Sequence, residues 1–297
     1  MRITILDTDR LYQEMLSLPD EKREAFFDAK FFEPFAPTFQ MLGMPRNAEA
    51  LGCLPLSGAD QLAQEMLDQL RATNVWEEAA VTLRGAQEYL EQAGVATPET
   101  VLLGVFLGSP ERLAMSEGYT GAGSIPGFIQ IFIAPNEQNL AKLNACIAHE
   151  FHHNALMFNM RWNFMEISLS HYLAVEGLAE SLAAALYGEQ SVGLWVTGVT
   201  GPGLADSRRI IGQNLDVAGF MEVRRYIFGA HPMVPGSEEL GIPYCGGYAV
   251  GYHATQAYLR KSGQSIAEAT RAFIDGTDII KLSGYFDSVG INPVCSG

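Results

Sequence analysis

The 297-residue chain has few cysteines and few basic residues. Its four cysteines are scattered without a Cys-x-x-Cys pair, which is typical of reduced thiols in a cytoplasmic protein and not of a disulfide framework. Only 19 lysines and arginines stand against 34 acidic residues, so the formal net charge is −15. This charge argues against nucleic acid or an anionic membrane surface as a partner.

Long apolar runs are also missing. No run is long enough to span a membrane, and the N-terminus has no apolar core of signal-peptide length before Asp7 and Asp9. The hydrophobic content of 48% is nevertheless enough for a large core. We therefore expect a cytoplasmic protein that forms a single unit over residues 1–297, divided into approximate lobes 1–160 and 161–297.

The strand-like segments all lie in the first lobe. Residues 101–107 and 128–134 are apolar and rich in β-branched or aromatic side chains, which predicts two buried strands, and residues 2–6 predict a shorter one. Between them, residues 118–127 contain four glycines and a proline and predict a loop. Helical patterns dominate the second lobe, with a flexible glycine-rich connection at 193–203. The predicted fold class is α+β and mostly helical.

The most informative motif is His149-Glu150-Phe151-His152-His153, in a run that predicts one continuous helix capped by Asn136. Residues four apart share a helix face, so His149 and His153 can bind one metal ion together. In the pattern His-Glu-x-x-His, the two imidazoles bind zinc and the glutamate is the general base towards a metal-bound water. The alternative is a pair of hydrogen-bonded core histidines beside a surface glutamate.

A second helix, predicted at about 168–187, carries Glu176 and Glu180 on one face. Two carboxylates on an otherwise apolar helix need counter-charges if they are buried, and a metal with its imidazoles would provide them. One glutamate would then ligate the metal while the other would accept the free N–H of a ligand histidine. The alternative is that both carboxylates face solvent, as helix carboxylates usually do.

Together the two motifs resemble the gluzincin metallopeptidases, the thermolysin-like branch of the zincins. More narrowly, they resemble the predicted zinc-dependent protease family typified by YjaZ, the DUF2268 group. That resemblance also includes the run Gly-Phe-Ile-Gln-Ile-Phe-Ile-Ala-Pro-Asn before the metal helix and Gly246-Gly247-Tyr248-x-x-Gly251-Tyr252 after it. It extends over roughly residues 100 to 285.

The resemblance implies a zincin-like fold, with the active-site helix between a strand-containing half and a helical half. It also implies about one zinc ion per chain, with His149, His153 and Glu176 as ligands and Glu150 as the base. Glu180 stands where thermolysin-like enzymes usually have aspartate. The resemblance implies that it accepts a hydrogen bond from a ligand histidine and does not bind the metal itself.

Two tyrosines are candidates for a further catalytic role. Tyr248 and Tyr252 lie four residues apart on a predicted helix, and one phenol could donate a hydrogen bond to the oxyanion of a tetrahedral intermediate. The alternative is ordinary aromatic packing. His231 and His253 are competing donors.

The sequence therefore predicts a zinc peptidase acting on peptide or protein substrates. The strand at 128–134 is expected at the rim of the site, where an extended peptide can add as a further strand. Two alternatives remain: a non-catalytic zinc-binding regulatory protein with a protease-like fold, and a metallohydrolase of non-peptide amides. A structural zinc site would need a fourth protein ligand, for which His152, Cys146 and Glu180 are the nearby options.

Overall fold

A computed structural model describes residues 1–160, 163, 165–231 and 237–287. The strands are β1 (Arg2–Ile5), β2 (Thr100–Leu107), β3 (Tyr119–Ala122) and β4 (Phe128–Ile133). The helices are α1 (Thr8–Leu16), α2 (Asp20–Phe27), α3 (Ala36–Leu42), α4 (Asp60–Ala72), α5 (Val75–Glu91), α6 (Glu137–Leu140), α7 (Leu143–Asn159), α8 (Leu169–Tyr187), α9 (Leu194–Thr197), α10 (Gly201–Gly212), α11 (Phe220–Phe228), α12 (Gly246–Ser262), α13 (Ile266–Ile274) and α14 (Ile279–Leu282). Within the described residues, the chain is mostly helical and has one mixed sheet. This is the predicted α+β class.

The chain divides into two compact units. The first consists of residues 1–88 and 96–158, and the second of residues 89–95 and 159–297. Across the described residues, none of the helices combines the length and the apolarity needed to cross a lipid bilayer.

The sheet of the first unit has the strand order β1-β2-β4-β3. β2 pairs in parallel with β1 and β4, whereas β3 pairs with β4 in antiparallel fashion.

Two predictions about the sheet are therefore wrong. The strand that begins at Phe128 is interior and hydrogen-bonded on both sides, so it cannot form the rim. The edge next to it is β3, which lies inside the segment 118–127 that was predicted as a loop.

The two faces of the sheet differ because alternate side chains point to opposite sides. Phe106, Phe128 and Phe132 face a layer of aromatic rings from the first 40 residues; Phe35, for example, has ring centroids 5.7 Å from Phe106 and 6.2 Å from Phe128. Ile131, on the opposite face, is fully buried. Gly121 is paired with Ile131 and faces the same side, which is the side where α7 lies.

The predicted continuous helix from Asn136 is wrong, because the chain forms two helices. Asn136 caps only the short α6, and a capping box with Asn139 closes that turn. The Asn139 side chain also donates to the carbonyl of Ala134 at 2.9 Å, which ties α6 to the end of β4. α7 then begins at Leu143, and its apolar stripe ends before Phe158, whose side chain is 47% exposed.

In the second unit, α8 and α12 cross at very short distance. A Cβ atom on Gly177 would lie 2.3 Å from the carbonyl oxygen of Gly251, so only glycine allows this approach. The helices α10, α11, α13 and α14 pack around this pair. The predicted flexible connection at 193–203 is wrong, because α9 and the first turn of α10 lie there.

Candidate metal centre

The metal helix α7 brings two imidazoles together. The Nε2 atoms of His149 and His153 are 3.0 Å apart, and the ring planes meet at 83°. Both residues are buried, at 6% and 8% exposure. This arrangement follows from their spacing of four residues, which puts the two side chains on one helix face. The two imidazole nitrogens thus face each other at hydrogen-bond distance.

Glu176 lies on α8 and is 8% exposed. Its charge affects two neighbours within the second unit. Burial raises the pKa of the Cys245 thiol to about 11, and the Glu176 carboxylate adds to this increase while a hydrogen bond with Tyr244 opposes it. Burial and then the same carboxylate also raise the pKa of Tyr172. Thiol and phenol therefore both stay neutral at pH 7.

His149, His153 and Glu176 form a group that could hold a metal ion. Their ligand atoms all lie within 4.8 Å of one another, and all three residues are buried. Two imidazole nitrogens and one carboxylate oxygen are a donor set that zinc uses in catalytic sites, where three protein ligands are usual. Within the described ranges the group has these three members and no fourth, whereas structural zinc sites usually have four.

Glu150 follows the first histidine on α7 and is 8% exposed. Its carboxylate lies against β3, beside Gly121. If Glu150 is the base, its carboxylate must lie next to the metal group without being one of the metal ligands. Glu150 is not part of the three-residue group found among the described residues, and its role as a base stays a prediction.

Glu180 is almost completely buried, at 3% exposure. Its Oε1 accepts a hydrogen bond from the backbone N–H of Gly193 at 2.7 Å, and its Oε2 accepts one from the Trp195 indole N–H at 2.9 Å. Glu180 therefore fastens the segment before and within α9 to α8. The solvent-facing alternative is wrong for this residue. Its predicted support of a ligand histidine stays a prediction.

The two tyrosines of α12 have different surroundings. The Tyr252 hydroxyl donates to Glu189 at 2.6 Å, and burial followed by this carboxylate raises the pKa of Tyr252. The ring of Tyr252 belongs to an apolar cluster with Val192 and Val196, against which the partly buried Tyr248 packs. The Tyr252 proton is thus already engaged by a carboxylate.

The competing donors also lie in the second unit. His231 meets the ring of Tyr244 edge to face at 5.2 Å. His253 lies 5.5 Å from the Tyr252 ring, and burial lowers its pKa, so it favours the neutral form. Residues 232–236, which follow His231, lie outside the described part of the chain.

The remaining candidate ligands are buried. His152 is completely buried, and Cys146 is buried and outside any disulfide, as are Cys53 and Cys245. Cys295 lies outside the described residues. The three described cysteines thus form no disulfide.

Sequence reasoning missed Asn154, which follows the motif directly. It is completely buried, and its side-chain amide makes four hydrogen bonds to the backbone between Gly123 and Phe128. An asparagine has low helix propensity, so its position in the middle of a buried helix was a usable signal. Trp195 was missed as the partner of Glu180 because only the fold brings them together.

The buried group on a mostly helical α+β scaffold defines a candidate metal-binding protein. A family model described as "Predicted Zn-dependent protease (DUF2268)" matches residues 71–281, and the chain belongs to this family, as its resemblance predicted. It is also similar to the uncharacterized protein YjfC from Bacillus subtilis (strain 168), with 34% sequence identity over 303 aligned residues. The alignment covers 97% of this chain and 100% of YjfC. No solved structure matches the chain.

Proposed function

We propose that the protein is a zinc-dependent peptidase with a zincin-like fold. The observation that carries this proposal is the buried group of His149, His153 and Glu176, with the Glu150 carboxylate next to it in sequence. The family description points to the same chemistry. A purely structural histidine pair would not require a third buried ligand atom within 4.8 Å.

His149, His153 and Glu176 would hold the zinc ion. When bound in such a site, zinc polarises a substrate carbonyl and lowers the pKa of a water towards neutrality. The burial of the three ligands lowers the local dielectric and so strengthens these electrostatic effects.

Glu150 would act as the general base and acid. Its carboxylate takes a proton from the attacking water and then delivers it to the nitrogen of the leaving amine. Tyr248 is our candidate for the donor that stabilises the oxyanion; the Tyr252 hydroxyl donates to Glu189. Glu180 would keep α8 rigid by its hydrogen bonds to Gly193 and Trp195.

The substrate would bind as an extended peptide along β3. This strand is at the edge of the sheet, and in the described residues its second side is not paired with a strand. Strand addition at such an edge uses backbone hydrogen bonds and therefore tolerates varied side chains. β3 also lies against Glu150, so a peptide on it would pass close to the proposed base.

The test is cleavage of a defined mixture of unstructured peptides, followed by mass spectrometry of the new termini. We expect cleavage by zinc-loaded protein, none after chelation, and recovery when zinc is added back. Zinc binding without any cleavage would contradict the proposed peptidase activity and favour a regulatory zinc-binding protein. Cleavage of non-peptide amides alone would favour the metallohydrolase alternative.

A further inference from the structure

A glycine of β3 provides the space that the Glu150 side chain occupies. A Cβ atom on Gly121 would lie 2.4 Å from the Cγ atom of Glu150 and 2.5 Å from its Oε1 atom. Neither distance is physically possible for a real side chain. Because the atoms in the way belong to a flexible side chain, a methyl group at Gly121 would push the carboxylate aside and leave the backbone in place.

Gly123, two residues later, touches the same residue differently. A Cβ atom there would lie 2.1 Å from the backbone carbonyl oxygen of Glu150. A helix carbonyl cannot rotate away, so this contact would require the backbone itself to move. The chain at the end of β3 therefore lies directly on α7 at the position of Glu150.

Asn154 lies one turn after Glu150 on α7, and its side chain binds the connection between β3 and β4 by hydrogen bonds. Its Oδ1 accepts from the N–H of Gly127 at 2.8 Å. Its Nδ2 has two hydrogens and donates to the carbonyls of Gly123 at 2.9 Å, Ile125 at 2.8 Å and Phe128 at 2.9 Å, so two of these carbonyls share one N–H. One buried amide thus fastens the whole β3–β4 connection to the metal helix.

We propose that Gly121 and Asn154 are positioning residues for the Glu150 carboxylate. Asn154 sets how closely the end of β3 approaches α7, and the missing side chain at Gly121 sets where the carboxylate can lie. This inference rests on the proposed function, since the exact position of Glu150 affects a rate only if it is the base. A displacement of about 1 Å at a reacting group lowers a rate by about 10²-fold.

The first test needs no activity. We would measure the melting temperature of the full-length protein with Gly121→Ala, alone and combined with Glu150→Ala. The contact predicts that Gly121→Ala lowers the melting temperature when Glu150 is present and has little effect when its side chain is removed. An equal decrease in both backgrounds would overturn the inference. Gly85→Ala is the matched control, because a Cβ atom there meets nothing within 4 Å.

The second test uses zinc-loaded protein and a peptide that the wild type cleaves. We expect Gly121→Ala to lower kcat by about 10²-fold with little change in KM or in bound zinc. In the Glu150→Gln background, where the base is already lost, Gly121→Ala should leave the residual kcat unchanged. An equal fold-decrease in both backgrounds, or loss of zinc from Gly121→Ala, would overturn a positioning role.

The two proposals fail in different ways. If zinc-loaded wild type cleaves no peptide, the proposed function fails, and the melting temperatures still decide whether Gly121 makes room for Glu150. If the wild type cleaves peptides and Gly121→Ala cleaves them equally well, the positioning role fails and the peptidase stands.

Discussion

Replacing Asn154 by leucine should destabilise the first unit strongly. The substitution keeps a similar volume but removes every side-chain hydrogen bond to the β3–β4 connection. Counting the one accepted bond and the two hydrogens of Nδ2, a net contribution of about 0.5–1.5 kcal/mol per hydrogen bond gives a loss of about 1.5–4.5 kcal/mol. The buried Gly123 carbonyl loses this partner, which adds to the cost. Such a loss is a large part of a typical domain's stability.

Asn139→Leu is the matched control for this substitution. Asn139 is also completely buried, donates to the carbonyls of Glu117 and Ala134 and accepts from the N–H of Asn136, but it lies in α6 and not in the metal helix. Urea unfolding of metal-free protein, followed by far-ultraviolet circular dichroism, gives the free energies of unfolding. We expect both variants to be destabilised and only Asn154→Leu to lower peptide hydrolysis under conditions where both remain folded.

The result that would refute this reasoning is a small effect. If Asn154→Leu changed the free energy of unfolding by less than about 1 kcal/mol, these hydrogen bonds would contribute little, and Asn154 could not fasten the loop to α7. Equal loss of hydrolysis in both asparagine variants would show general destabilisation instead of a local effect at Glu150.

Three further predictions concern the metal group and its neighbours. Purified protein should bind about one zinc per chain by elemental analysis and melt at a lower temperature after chelation; no zinc uptake at all would contradict the metal centre. Glu176→Gln should remove most of the zinc affinity, whereas Glu180→Gln should reduce it by only about 10- to 100-fold in a competition assay; the reverse order would mean that the two roles are exchanged. Tyr252→Phe should lower the melting temperature because it removes the hydrogen bond to Glu189, but Tyr248→Phe should lower kcat more; a larger kcat loss from Tyr252→Phe would assign the oxyanion donor to Tyr252.

The parts of the candidate site that lie on single helices could be predicted from sequence. The helical period alone places His149 beside His153, and the same period places Glu176 and Glu180 on one face of α8. Whether those carboxylates are buried or face solvent stayed open at the level of the helix alone, and the structure shows that both are buried. That the two helices bring their ligand atoms within 4.8 Å depends on the whole fold, and only the motif suggested it in advance.

β3 could not be predicted because its signal is too short and is hidden by glycine. It has four residues, Tyr119 to Ala122, and it pairs with β4. Glycine normally indicates a turn, but Gly121 lies in the strand because the Glu150 side chain occupies the space of a Cβ atom. The local pattern was therefore overridden by a contact with a residue 29 positions away.

The glycines of the Gly-Tyr-x-x-Gly-Tyr segment have a packing role that the resemblance did not reveal. A Cβ atom on Gly247 would lie 2.4 Å from the Cα atom of Ile227 in α11, and one on Gly251 would lie 2.7 Å from the carbonyl oxygen of Leu173 in α8. The segment thus fixes α12 against two helices at once. Close helix crossings of this kind can be seen only in the structure. A sequence pattern of small residues does not say which helix packs against them.

The most direct test of the peptidase compares wild type with Glu150→Gln for bound zinc and for peptide hydrolysis in the same preparations. The variant keeps the size of the side chain and all three ligands but has no base. We predict that bound zinc stays at the wild-type level while hydrolysis falls by about 10²–10⁴-fold. Hydrolysis at the wild-type rate by zinc-loaded Glu150→Gln protein would contradict the mechanism.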